Sequence, residues 1–131
     1  MNETDRLLGN LAGKTDIVLE EKLKIVEQHI AKFETWKPNE AMLNRLRNAL
    51  NQKQEISGAD LSFYYHELFE SQRTFQLMQT GMSFPEAQII AHNQAIAEYA
   101  VSGYSIYHPE VIEAFPDEFN HNWRNAWGIN R

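Results

Sequence analysis

Apolar residues in the first half of the chain recur at helical spacing. Leu19, Leu23, Val26, Ile30 and Phe33 follow a 4-3-4-3 pattern behind a Thr15-Asp16 cap, which predicts an amphipathic helix. Glu20 and Glu21 fall in its first turns, where the helix dipole favours acidic side chains. Trp36-Lys37-Pro38 is expected to break this helix, and Asn39 to cap a second one with Met42, Leu43, Leu46, Ala49 and Leu50 on one side. The short break makes the pair an antiparallel hairpin, closed by the polar stretch Asn51 to Glu55. Ser57-Gly58-Ala59-Asp60 opens a third helix, capped by Ser57 and with Asp60 in its first turn. Its apolar side carries Leu61, Tyr65, Leu68, Phe75 and Met78 and is interrupted by Gln72.

Gly81 is placed to stop this helix in the left-handed conformation that glycine tolerates. Ser83-Phe84-Pro85-Glu86 is a capping box for a fourth helix, with Ala87, Ile90, Ala91, Ala95 and Tyr99 on one side and an end near Gly103. Tyr104 to His108 reads as extended and aromatic, because Pro109 biases His108 away from the helical region. Pro109 begins a short helix with Val111 and Ile112. Pro116-Asp117-Glu118 begins the last, with Phe119, Trp123 and Trp127 on one side and Gly128 after it. The expected fold is all-α, a single compact domain of five to six helices with an irregular aromatic segment before the last helices. Residues 1–14 read as a flexible arm or linker. Residues 15–131 form the domain, with 15–55 as the hairpin and 56–131 as the functional core.

Composition narrows the chemistry. A length of 131 residues supports one core. The 43% hydrophobic and 23% charged content is that of a globular chain, not a disordered one. With no cysteine, a metal site must use His, Asp or Glu. The net charge of −6 disfavours a broad nucleic-acid footprint but leaves room for a nuclease with a small basic groove. No apolar run approaches the roughly 20 residues of a membrane helix, and no signal peptide is evident. Taken alone the chain reads as cytoplasmic; as part of a larger exported protein it would be delivered by that protein.

The chemistry centres on Tyr64-Tyr65-His66-Glu67-Leu68-Phe69-Glu70. His66 and Glu70 stand one helical turn apart on one face, about 5–6 Å at Cβ. They match part of the H-E-x-x-H zinc signature, with Glu67 in the place of the general base and Glu70 in the place of the second histidine. Glu70 lies 11 residues before Gly81 and His92 lies 11 after it, so antiparallel helices would bring them to one height. The first reading is therefore a divalent-metal site, zinc as first choice, with ligands His66, Glu70 and His92 and with Glu67 activating water. The alternative is a partly buried His66 bonded to Glu70, with His92 facing solvent.

Two further constellations stay open. Metal-free RNA cleavage needs a base, an acid and a phosphate-binding cation, roles that His66, His92 or His108 and Arg73 would fill. In Tyr104-Ser105-Ile106-Tyr107-His108-Pro109-Glu110, Tyr107 is either an oxyanion donor or a core residue, and His108 either a catalytic group or a helix cap. Trp123 and Trp127 would stack on a nucleobase or partner, or fill the core. Glu110, Glu113, Asp117 and Glu118 form a solvated face or meet a basic partner.

A resemblance sharpens these options. Ile56 to Asp60, Phe63 to Leu68, Gly81 to Phe84, Glu86-Ala87, Ala91-His92, Val101 to Ile112, Phe119-Asn120, Asn122 to Arg124 and Trp127-Gly128 carry it. Over roughly residues 23 to 129 the chain resembles a C-terminal toxin-tip module of bacterial polymorphic toxins. Such modules occur at the tips of Rhs-repeat, filamentous-haemagglutinin and contact-dependent-inhibition proteins. The H-E-x-x-E and Y-H-P-E-V-I elements are its most specific parts. The resemblance implies an effector acting inside a competing bacterium, a nuclease more often than another hydrolase, on an RNA or DNA substrate. It also implies a cognate immunity protein as partner, and it puts His66, Glu67, Glu70, His92, Tyr107 and His108 at stake. The alternative is a non-catalytic acidic helical protein that binds a partner, as an immunity-type protein or a module of a surface or phage protein.

Overall fold

The fold is taken from a computed structural model, which describes residues 11, 13–33, 35–99 and 107–119. Among them are five α-helices, one 3-10 turn and a two-stranded sheet, so the expected helical class holds. In chain order these are β1 (Thr15–Ile17), α1 (Glu20–Ile30), α2 (Lys37–Gln52), β2 (Glu55–Ser57), α3 (Gly58–Gln79), α4 (Phe84–Tyr99), α5 (Pro109–Ala114) and the turn Pro116–Phe119. No described helix is long and apolar enough to cross a membrane.

The strands were not expected. β1 and β2 pair antiparallel with Thr15 opposite Ser57 and Ile17 opposite Glu55. Thr15-Asp16 is therefore strand rather than helix cap, and α1 starts later, at Glu20. The pairing fastens the entry of α1 to the entry of α3. Asp16 on β1 accepts a 2.6 Å hydrogen bond from the Tyr65 hydroxyl, and the Leu19 amide donates to the Tyr64 hydroxyl at 3.1 Å. Ser57 flanks α3 with extended backbone but makes no capping bond through its hydroxyl.

Pro38 does not break a helix, as its place after Trp36-Lys37 suggested. It lies in the first turn of α2, where a missing amide proton removes no intrahelical bond. Asn39 is thus inside α2. Pro38, Met42, Leu46 and Ala49 form its buried stripe. At the far end Lys53 takes a left-handed conformation, φ 54°, and the Gln54 amide returns to the Ala49 carbonyl at 2.9 Å, the long bond of a Schellman turn.

α3 is the central helix, packed chiefly against α4 and next against α1. Its first half feeds Leu61, Phe63 and Tyr64 into an apolar core with Leu23, Val26, Met42, Leu46, Ile56, Tyr107, Val111 and Phe119. Leu11 also lies in this core, at 3% exposure. Phe75 and Met78, expected on the apolar side of α3, are instead exposed at 62% and 40%. The fully shielded stripe along the rest of α3 is polar: Ser62, His66, Glu70 and Thr74, four residues apart.

Gly81 turns the chain with φ 99°, as its position predicted. The Glu86 amide meets the Ser83 hydroxyl at 3.4 Å. α4 then presents Ala87, Ala91 and Ala95, all fully buried and one turn apart. Alanines at this spacing let two helix backbones approach closely, which brings His92 up to α3. The segment 100–106 and the tryptophans Trp123 and Trp127 lie outside the described residues.

Candidate metal centre

The polar stripe of α3 meets one histidine from each flanking helix. His66 and Glu70 project from α3, His92 from α4 and His29 from α1. All four are buried, with His29 at 1%, His66 at 2%, Glu70 at 3% and His92 at 7%. His66 Nε2 lies 3.0 Å from Glu70 Oε2, His92 Nδ1 lies 3.1 Å from the same oxygen, and the two nitrogens are 3.0 Å apart. The three residues expected to share a metal thus converge in a nearly equilateral triangle.

That triangle is hard to satisfy with protons. A neutral imidazole has one N–H and one lone pair. If both nitrogens donate to Oε2, they face each other as two donors. If one of them accepts, its lone pair also faces the carboxylate. A cation shared by all three atoms removes the conflict. Tetrahedral zinc with bonds of about 2.0–2.1 Å keeps its ligands about 3.3–3.4 Å apart, a few tenths of an ångström wider than this triangle.

The protonation states suit such a role. Burial, the largest influence on His66, lowers its pKa and outweighs the opposing pull of Glu70, so the ring is neutral and keeps a lone pair. Burial also acts most strongly on Glu70 and opposes its charge. The close polar contacts with His29, His66 and His92 nevertheless prevail and hold the carboxyl far below the usual carboxylate range. Glu70 is therefore ionised inside the protein.

A second cluster shares Glu70. His29 Nε2 lies 3.2 Å from Glu70 Oε1 and 3.7 Å from Glu67 Oε2. Gln88 on α4 donates to the same Glu70 oxygen at 2.9 Å. Glu67 is 8% exposed, and its pKa is raised well above the ordinary value, first by burial and then by the charge of Glu70. Sequence reasoning missed His29. The signal was there, since Leu23, Val26 and His29 recur every three residues and place an imidazole in the buried stripe of α1.

The remaining candidates fall elsewhere. Tyr107 packs edge-on against Trp36 and Phe119, and its hydroxyl donates to Asn39 Oδ1 at 2.7 Å. Burial, then the charges of Glu67 and Glu70, push its pKa well up, so it stays a protonated phenol within electrostatic reach of the cluster. These contacts place the phenol in the core, the second of the two roles open to it. His108 caps α5, with Nδ1 accepting from the Glu110 amide at 3.1 Å, the second of the two roles open to it. Arg73, considered for phosphate, donates to Gln94 at 2.6 Å and to Gln76 at 3.1 Å.

The surface groove between Arg45 and Asp60 and the one along Glu21, Tyr65 and Gln72 are not lined by the cluster. Glu67 and His92 are its most exposed members and mark its solvent side. Ser62 Oγ, Thr74 Oγ1 and His29 Nδ1 are buried without a hydrogen-bond partner among the described residues. Comparison with protein-family models, curated proteins and solved structures finds no match to this chain.

Proposed function

We propose that this chain is a metal-dependent hydrolase of the toxin-tip kind, in which His66, Glu70 and His92 hold one divalent cation. The reading is carried by one observation: three ligand atoms from two helices meet within 3.1 Å of one another in a shielded site. Two imidazoles and a carboxylate suit zinc first and leave a coordination position for water. A cation there supplies Lewis acidity and lowers the pKa of its water towards neutrality.

The protein's own groups do the rest. His66 reaches the site neutral, and Glu70 reaches it ionised, so neither has to lose a proton first. Glu67, one residue on from His66, is held towards its protonated form by burial and by the charge of Glu70, so it would serve as the base only after a neighbouring cation has ionised it. The resemblance to toxin tips points to a phosphodiester of RNA or DNA as substrate and to an immunity protein as partner.

The depth of the cluster favours a second reading, in which His66 and Glu70 serve packing in a non-catalytic partner-binding protein. Induction in a bacterial host that lacks an immunity gene separates the two. The hydrolase reading predicts growth arrest by the wild type and growth with His66→Ala at equal expression. Unimpaired growth with both would discard it.

A further inference from the structure

The two oxygens of Glu70 serve different partners. Oε2 faces His66 and His92 at 3.0 and 3.1 Å, while Oε1 faces His29 at 3.2 Å. Glu67 Oε2 closes the second group, 3.7 Å from His29 Nε2. Both groups, His66-Glu70-His92 and His29-Glu67-Glu70, have their ligand atoms within 4.8 Å of one another, and all their members are buried. From this arrangement we infer that the centre is dinuclear: Glu70 bridges two divalent cations, and His29 and Glu67 complete the second subsite. The inference rests on the metal-centre reading above and extends it.

Three features of the site support it. A carboxylate bound through both oxygens suits the separation of about 3.5–4 Å found in two-metal sites. Each carboxylate oxygen has two lone pairs, so the 2.9 Å bond from Gln88 to Oε1 leaves room for a cation on that atom. The three histidines come from three different helices, α1, α3 and α4, so the packing of the bundle itself assembles both subsites.

The arrangement also narrows the substrate. Two divalent cations bring four positive charges, and Glu67 and Glu70 offset two of them. The surplus favours an anionic group at the centre, and two-metal sites characteristically clamp the attacking and leaving oxygens of a phosphodiester. On this account Glu67 is a ligand whenever the second cation is bound, and it is the free base of the hydrolase reading only when one cation is present.

The test is metal stoichiometry on the full chain, using zinc and manganese ions as probes. After equilibrium dialysis with zinc, the wild type is expected to hold two ions per chain and His29→Gln one. The manganese form of the wild type is expected to give the paramagnetic resonance spectrum of an exchange-coupled pair, which His29→Gln replaces with that of isolated ions. One ion in the wild type, retained in His29→Gln, would overturn the second subsite and leave the single-metal hydrolase standing. No ion in the wild type would overturn both. Should His29→Gln lose its helical circular dichroism, the wild-type stoichiometry and the manganese spectrum still decide.

Discussion

Replacing Glu70 with glutamine keeps the shape of the side chain and removes its charge. The carboxylate makes four close contacts: Oε1 with His29 at 3.2 Å and Gln88 at 2.9 Å, Oε2 with His66 at 3.0 Å and His92 at 3.1 Å. An amide keeps one acceptor oxygen. Whichever way it is turned, two neighbours face an NH2 group instead. A buried polar group left unsatisfied costs about 1–3 kcal/mol, so two such losses amount to about 2–6 kcal/mol. Part of this returns, because the variant no longer buries a charge and an imidazole can switch tautomer. We expect a net loss of about 2–4 kcal/mol in the metal-free protein.

Urea unfolding in the presence of a chelator measures it. With an m-value of about 1–3 kcal/mol per molar, the midpoint falls by about 0.7 M or more. Glu20→Gln serves as the control. Its carboxylate pairs with Arg47 at 2.7 Å on the surface, where the effect stays below about 1 kcal/mol. The pH dependence has a definite sign. The folded pKa of Glu70 is lowered, so its stabilisation is complete above the unfolded value of about 4.3 and is lost as pH falls through the folded one. The gap between wild type and variant should therefore narrow below about pH 4. A variant within about 0.5 kcal/mol of wild type at pH 7 would refute the view that Glu70 is the hub of the buried cluster.

Other substitutions probe the surrounding assignments. Tyr107→Phe removes the 2.7 Å bond to Asn39 and should cost about 1–2 kcal/mol in urea unfolding while leaving zinc stoichiometry unchanged. His108→Ala removes the α5 cap and should lower stability by about 0.5–1 kcal/mol, with growth arrest retained if its ring serves only as that cap. Ala91→Leu overfills the seam between α3 and α4; it should cost about 1–3 kcal/mol. Because Ala91 adjoins His92, the larger side chain should shift that imidazole and weaken zinc binding in a calorimetric titration by about 10-fold or more.

What could be read from the chain follows from where its information is local. Gly81 and the Ser83 cap are short-range signals, and the equal count of residues on either side of Gly81 is enough to set His92 opposite Glu70. The β1–β2 pair was hidden because each strand has three residues, too few for alternation to show, and the partners lie about 40 positions apart. The face of α3 was misread for a different reason. Hydrophobic periodicity assumes that the buried stripe is apolar, yet this helix buries Ser62, His66, Glu70 and Thr74 and exposes Phe75 and Met78. His29 escaped notice under the same assumption, although it keeps register with Leu23 and Val26. A buried polar stripe costs free energy unless its members satisfy one another or a ligand. The departure from the apolar pattern therefore falls at the candidate site itself.

The central claim is that the buried imidazoles and carboxylates of α1, α3 and α4 bind a divalent cation. Equilibrium dialysis of the purified chain against micromolar free zinc, followed by elemental analysis, tests it most directly. The account predicts at least one zinc per wild-type chain, and none retained at the His66-Glu70-His92 triad in the His66→Ala/His92→Ala double variant. A wild-type chain that emerges from dialysis without zinc, or a double variant that binds as much as the wild type, would contradict it.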